Sequence, residues 1–123
     1  MKICLETAAK LHVQNEIRNN IYDLVWSYML DFENQQNPYE EKLNAIQIWK
    51  SIAKFICKSS NNILQKAKEM ENIGIKPKDA LHIACAIQSN CDYFITTDIK
   101  LLKRAVTEIV LINPINFIKE MEE

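Results

Sequence analysis

The sequence predicts an α/β fold in which helices flank a parallel β-sheet. Segments whose apolar residues recur every three or four positions alternate with short runs that are apolar throughout. Such continuous runs are typical of parallel strands, because these are buried on both faces. With one glycine and three prolines among 123 residues, the composition also favours helices joined by short connections. This length is usual for one domain, so we expect a single domain over residues 1–123.

The amino-terminal half is expected to begin with a helix. Its apolar positions start at Leu5 and recur at helical spacing until Asn19, where two asparagines favour a turn. An aromatic and β-branched run over residues 21–26 predicts a buried strand, and Ser27 offers the hydroxyl of a helix N-cap. The elements predicted here are a helix over residues 5–19, a strand over 21–26, a helix over 28–33 and a helix that starts at Pro38 and carries an apolar stripe from Leu43 to Ala53.

Turn and cap residues divide the carboxyl-terminal half. Gly74 follows an amphipathic segment and is placed to end a helix. Pro77 and Pro114 suit the first turns of two helices, and Asp98 suits an N-cap. The elements predicted here are a loop over residues 59–62, a helix over 63–73, a helix from Lys76-Pro77 to Ile87, a strand over 93–97, a short helix after Asp98, a strand over 108–112 and a helix from Asn113-Pro114 to Met121.

The composition excludes several classes of function. A single glycine cannot build the glycine-rich loops that bind nucleotide phosphates, or the turn that exposes a catalytic serine in hydrolases. The net charge of −1 gives no overall attraction to nucleic acid or to a membrane, so either partner would need a local patch. No apolar run is long enough to cross a membrane and the first residues do not resemble a secretory signal. We therefore expect a cytoplasmic protein whose four cysteines are reduced, partly buried thiols.

Three acidic residues follow predicted strands or open predicted helices. Asp98 follows the strand over 93–97 directly, Asp79 lies in a first helical turn, and Glu33 lies within two turns of the strand over 21–26. Ligands of parallel sheets bind where the strands end, so these carboxylates are expected to converge there. Their mutual repulsion would be relieved by a hard divalent cation, Mg²⁺ or Mn²⁺. Each acid also has a simpler explanation as a helix-end stabiliser or, for Glu33, as a solvated helix residue.

Four segments together resemble a PIN domain. They are residues 26–33 (Trp-Ser-Tyr-Met-Leu-Asp-Phe-Glu), 78–86 (Lys-Asp-Ala-Leu-His-Ile-Ala-Cys-Ala), 91–102 (Cys-Asp-Tyr-Phe-Ile-Thr-Thr-Asp-Ile-Lys-Leu-Leu) and 112–117 (Ile-Asn-Pro-Ile-Asn-Phe). The resemblance covers residues 5–123, and its Asp-x-Leu-His-x-Ala helix followed by a Thr-x-Asp strand end is fairly specific. On this match Glu33, Asp79 and Asp98 correspond to the second, third and fourth acids of the family, and Thr96 to the accompanying hydroxyl.

The resemblance implies a metal-dependent endoribonuclease, which in this family is often the toxin of a toxin–antitoxin pair. Glu33, Asp79 and Asp98 would then hold Mg²⁺ or Mn²⁺, and these three acids with Thr96 would form the catalytic set. RNA would be the substrate and an antitoxin protein a partner, with a homodimer as a further expectation and no membrane association. The alternative is a catalytically inactive PIN-like module that keeps the fold for contacts with other proteins.

The first acid of the family is not evident in this sequence. PIN domains open with a strand that ends in Asp-Thr, and two alignments of the amino terminus are possible. In one, residues 3–7 (Ile-Cys-Leu-Glu-Thr) are that strand and Glu6 replaces the aspartate. In the other, residues 5–19 form the helix that precedes the second strand in the family, and the first strand is missing. We favour the second alignment, because the helical stripe is continuous from Leu5 and no turn residue follows Thr7.

Two further groups of residues are candidates for the site. His82 lies three residues after Asp79, on roughly the same helix face, where it could join a metal site or pack beside the helix end. Lys100, Lys103 and Arg104 form a small basic face near Asp98 that could hold an RNA backbone or be a solvated helix face.

Overall fold

Within the described residues, the sheet of this protein has five parallel strands. The structure, a computed structural model, describes residues 1–6, 22–104 and 106–122. Strand β1 lies in the centre and pairs with β2 on one side and with β4 on the other, which gives the order β3-β2-β1-β4-β5. The strands are β1 Lys2–Leu5, β2 Asp23–Ser27, β3 Phe55–Cys57, β4 Tyr93–Ile95 and β5 Val110–Ile112. The α/β class and the PIN-like parallel sheet predicted from the sequence are confirmed.

Several helices of the described ranges begin at a residue whose side chain accepts hydrogen bonds from free amide groups of the first turn. The Ser27 hydroxyl accepts a hydrogen bond from the Met29 amide, and the Ser60 hydroxyl accepts one from the Ile63 amide. The helices are α1 Tyr28–Gln35, α2 Glu40–Ile52, α3 Asn61–Asn72, α4 Pro77–Gln88, α5 Ile99–Leu102 and α6 Pro114–Glu122. Gly74 follows α3 with a φ of 94°, as its place after the helix predicted. None of the described helices is long and apolar enough to cross a membrane.

The side chains of the strands alternate between two apolar layers, one on each face of the sheet. Cys4, Val25 and Phe94 pack with α3 and α4 on one face. The residues beside them in sequence point the other way, so Ile3 and Leu5 pack on the opposite face with α6 and with Trp49 of α2. Burial on both faces explains why these strands read as continuous apolar runs. The four cysteines form no disulfide, as predicted, and all of them are buried.

The prediction that the first strand is missing is wrong. Residues 2–5 form β1, the central strand, and Ile3, Cys4 and Leu5 are almost completely buried. Leu5 therefore belongs to a strand and does not begin a helix. Hydrogen bonding to two neighbours and burial on both faces stabilise this strand, and neither effect depends on the periodicity by which Leu5 was assigned to a helix. The rest of the predicted 5–19 helix and the turn at Asn19 lie outside the described residues.

One strand was not predicted at all. Phe55–Cys57 forms β3 at the edge of the sheet, where Phe55 and Ile56 are exposed. A three-residue edge strand has neither the length nor the buried alternation that identifies a strand in sequence. The other predicted elements are present, and their ends differ from the predicted bounds by a few residues.

Candidate active site

Glu6 lies at the carboxyl end of the central strand. Its amide donates a hydrogen bond to the Ile95 carbonyl at 2.9 Å, which extends the pairing of β1 with β4 by one residue. Its carboxylate accepts hydrogen bonds from the hydroxyl of Thr96 and, at 3.3 Å, from that of Thr97. The chain leaves β1 towards β2 on one side while β4 lies on the other, so Glu6 lies at the point where the strand order reverses. Ligands of open parallel sheets bind at such points.

Thr96 connects two acidic residues through one buried hydroxyl. The hydroxyl donates to the Glu6 carboxylate and accepts a hydrogen bond from the Asp98 amide at 3.1 Å. The backbone amide of Thr96 donates to the Ile112 carbonyl at 3.0 Å, which fixes the residue against β5. The backbone of Thr96 is therefore fixed by β5, while its side-chain hydroxyl contacts both acidic residues.

Asp98 caps the short helix α5. Its Oδ1 accepts hydrogen bonds from the amides of Lys100, at 2.9 Å, and Leu101, at 3.3 Å. The helix-capping explanation weighed for this residue is thus correct, and it is compatible with a role in the site. The cap fixes the orientation of the carboxylate beside the end of β4.

Asp79 lies in the first turn of α4 and is perturbed by its neighbours. Burial raises the pKa of this carboxyl above its usual value, and the negative charges of Asp98 and Glu6 raise it further. The positive charge of Lys76 and the ring of His82 act in the opposite direction without reversing the shift. Glu6, Asp79 and Asp98 are therefore close enough to interact electrostatically, and we call these three residues the carboxylate cluster.

Glu33 forms a hydrogen bond with His82 one helical turn beyond Asp79. The Oε1 atom of Glu33 lies 2.6 Å from Nε2 of His82, and His82 is 4% exposed. An ionised carboxylate can only accept, so this contact requires the proton on Nε2. Within the described part of the chain, Nδ1 of His82 has no hydrogen-bond partner.

The chemistry of these side chains fits a hard cation, although they do not form a ready-made cage. Carboxylate and hydroxyl oxygens are the ligands that Mg²⁺ and Mn²⁺ prefer, and the mutual repulsion of the carboxylate cluster favours a positive charge between its members. Among the described residues, no group of three or more histidine, cysteine, aspartate or glutamate side chains is arranged to hold a metal ion.

A small cleft of about 50 Å³ opens beside Asp79 and Asp98. Its rim carries three positively charged side chains, two of which come from the basic face predicted after Asp98. Lys100 and Arg104 line the cleft, Lys103 does not, and Lys76 joins from the residue before α4. The full lining is Gly74, Ile75, Lys76, Asp79, Asp98, Lys100, Leu101 and Arg104.

The structure thus brings Asp79, Asp98 and Thr96 together as expected, and it adds Glu6. Glu33, predicted as a metal ligand beside them, is hydrogen bonded to His82 on the flank of the cluster. A signal for Glu6 was present in the sequence, since an acid directly follows the apolar run of residues 3–5. This signal is ambiguous, because Leu5, the last residue of that run, also fits a helical stripe.

Comparison with known proteins agrees with this fold. The sequence profile of the family described as PIN domain matches residues 5–106. No curated protein matches the chain significantly in sequence. Several solved structures are similar to it, and two of them match almost over their whole length.

The first is the structure of VapBC2 from Rickettsia felis bound to a DNA fragment from their promoter. It is 19% identical, with a TM-score of 0.62 over 92% of this chain and 98% of that chain. The second is the structure of VapBC-1 from nontypeable Haemophilus influenzae. It is 17% identical, with a TM-score of 0.66 over 94% of this chain and 99% of that chain. At these identities the likeness establishes the fold.

Proposed function

Because the chain belongs to the PIN domain family, we propose that it is a metal-dependent endoribonuclease and the toxin of a toxin–antitoxin pair. The observation that carries the proposal is the carboxylate cluster at the end of the central strands. The Thr96 hydroxyl joins the Glu6 carboxylate to the Asp98 amide, and Asp79 and Asp98 line one cleft. Burial, Asp98 and Glu6 raise the pKa of Asp79 there. Such a cluster is costly without a cation, and its position is the one where open parallel sheets bind ligands.

Each side chain has a proposed part in this reaction. Glu6, Asp79 and Asp98 would hold Mg²⁺ or Mn²⁺, with Glu6 in the position of the first acid of the family. Thr96 is a positioning residue that fixes Glu6 and Asp98 relative to each other. Glu33 would contribute its charge from the flank, oriented by His82. A bound divalent ion supplies an activated water and neutralises negative charge on the phosphate.

An antitoxin protein is the proposed partner. The two similar structures are of VapBC proteins, and one of them is bound to a fragment of promoter DNA. A partner that covers the carboxyl end of the sheet would prevent RNA from reaching the carboxylate cluster. Inhibition by an antitoxin that covers this end of the sheet is part of the proposal.

A cleavage assay with isosteric variants tests the activity. Purified protein is incubated with labelled single-stranded RNA in the presence of Mn²⁺ or of EDTA. We expect cleavage with Mn²⁺ only, and a loss of about 100-fold or more in Asp98→Asn, since asparagine keeps the helix cap but removes the charge. Glu40→Gln removes an exposed carboxylate from the first turn of α2 and serves as the matched control, which should cleave like wild type.

One observation favours a second function, that of an inactive interaction module. The carboxylate of Glu6 is already hydrogen bonded to two threonines, and the described carboxylates form no ready-made metal cage. Calorimetry with Mn²⁺ separates the two functions. The nuclease proposal requires saturable binding that Asp98→Asn weakens, whereas the absence of both binding and cleavage in wild type would leave the module as the better account.

A further inference from the structure

The small cleft beside Asp79 and Asp98 carries charges of both signs. Its acidic lining residues, Asp79 and Asp98, belong to the carboxylate cluster. The lining also includes Lys76, Lys100 and Arg104, which we call the cationic rim. The volume of about 50 Å³ suits one small polar group. A cleft of this kind is matched to an anion that lies next to the carboxylates.

The cations of the rim have no ion-pair partner among the described residues. Elsewhere in those ranges lysines do find carboxylates: Lys50 pairs with Asp31 at 3.0 Å, and Lys66 pairs with Glu108 at 2.6 Å. Lys76, Lys100 and Arg104 form no such pair, although Asp79 and Asp98 line the same cleft. Their exposed charges are therefore available to a ligand.

Gly74 shapes the position of Arg104. A Cβ atom built on Gly74 would come within 2.8 Å of Nη1 of Arg104 and within 3.1 Å of its Cζ. The φ of 94° already favours glycine here, and the absence of a side chain lets the guanidinium pack against the backbone. A guanidinium supported in this way presents a planar fork of N–H donors, which matches the oxygens of a phosphate.

We propose that Lys76, Lys100 and Arg104 bind the backbone phosphate next to the one that the carboxylates act on. This inference rests on the proposed ribonuclease function and names the part of the substrate that the cleft would hold. A polyanion that approaches the carboxylate cluster is repelled by it, and the cationic rim offsets that repulsion at the adjoining phosphate. The rim is thus a binding and positioning device, and the carboxylate cluster performs the chemistry.

Binding measured without cleavage tests the rim directly. The probe is a short fluorescein-labelled single-stranded oligoribonucleotide, titrated with protein in EDTA and followed by fluorescence anisotropy at several salt concentrations. We expect Arg104→Gln, Lys100→Gln and Lys76→Gln each to weaken binding by roughly tenfold, with a salt dependence reduced by about one ion. All three side chains are exposed, so the variants should fold, and circular dichroism verifies this.

Lys103→Gln is the matched control. Lys103 follows Lys100 in the same short helical segment and is exposed, but it does not line the cleft. It should bind RNA almost as wild type does. An effect equal to that of Lys100→Gln would overturn the subsite, because it would show attraction by diffuse surface charge. Unchanged binding in all three rim variants would overturn it as well.

The failure of this inference can be told apart from a failure of the proposed function. If wild type cleaves RNA with Mn²⁺ while the rim variants bind and cleave normally, the subsite is wrong and the nuclease stands. If wild type binds RNA without cleaving it and the rim variants lose that binding, the subsite stands and the nuclease is wrong. Asp98→Asn provides an internal check, since it should abolish cleavage and leave binding in EDTA equal or stronger.

Discussion

The hydroxyl of Thr96 donates a hydrogen bond to the carboxylate of Glu6, and this contact joins the ends of the two strands at the centre of the sheet. The same hydroxyl accepts the amide of Asp98, so two members of the carboxylate cluster are fixed through one buried atom. Since the hydroxyl joins the ends of β1 and β4, the arrangement depends on a central strand whose last residue, Leu5, the sequence pattern assigns to a helix.

Replacing Thr96 by valine is expected to destabilise the fold. Valine has nearly the same shape but no hydroxyl, so the Asp98 amide loses its acceptor and Glu6 loses a donor. We expect a loss of about 1–3 kcal/mol in the free energy of unfolding, measured by urea denaturation. Thr96→Ser keeps the hydroxyl and should lose clearly less. Equal losses in the two variants would mean that the methyl group, and not the hydrogen bonds, stabilises this position.

Asp79→Asn is expected to stabilise the metal-free protein at neutral pH. The pKa of Asp79 is raised in the folded state by burial and by Asp98 and Glu6, so the folded state holds this proton more tightly than the unfolded state does. The contribution of Asp79 to the free energy of unfolding is therefore fully present below its pKa in the unfolded state. It is lost as the pH rises through its higher pKa in the folded state. Asparagine has no such penalty. Thermal unfolding in EDTA should show a higher Tm for the variant at pH 7 and a vanishing difference towards acid pH.

The control for this experiment is Glu40→Gln. Glu40 is exposed in the first turn of α2, where a negative charge favours the helix end, so its removal should not raise the Tm. A Tm of Asp79→Asn that falls at neutral pH would contradict the electrostatic account of the carboxylate cluster. In saturating Mn²⁺, wild type should have a higher Tm than Asp79→Asn, because only wild type keeps the full set of charges for the ion.

The contact of Glu33 with His82 predicts a difference between two substitutions. Glu33→Ala removes the acceptor for the buried Nε2 donor of His82, and we expect a loss of about 1–3 kcal/mol in the free energy of unfolding. Glu33→Gln can still accept through its amide oxygen and should lose less. Urea denaturation of both variants measures this difference. Indistinguishable values would mean that His82 does not need Glu33 as a partner.

Much of the fold and of the site was predictable because local rules act there. Gly74 ends a helix in a conformation that glycine favours, and Asp98 caps α5 with its own side chain. Both effects lie within a few residues of sequence, so the pattern carries them. The convergence of Asp79 with Asp98 followed from the general position of ligand sites at strand ends.

The features that were missed depend on contacts far apart in sequence. Strand β1 is fixed by pairing with β2 and β4, and Glu6 meets Thr96 across 90 positions. Leu5 fits a strand and a helical stripe equally well, so periodicity alone could not decide between them. The hydrogen bond between Glu33 and His82 spans 49 positions, so the sequence pattern carries no signal for it.

Cleavage of labelled RNA with Mn²⁺ by three proteins tests whether Glu6 acts as the first acid of a metal-dependent nuclease. Wild type should cleave, and Glu6→Gln should lose about 100-fold or more, because glutamine keeps the length and one of the two acceptor oxygens but removes the charge. Glu6→Asp, which restores the acid of the family, should retain activity. Cleavage by Glu6→Gln at the wild-type rate would contradict the claim, as would intact RNA in both wild type and Glu6→Asp.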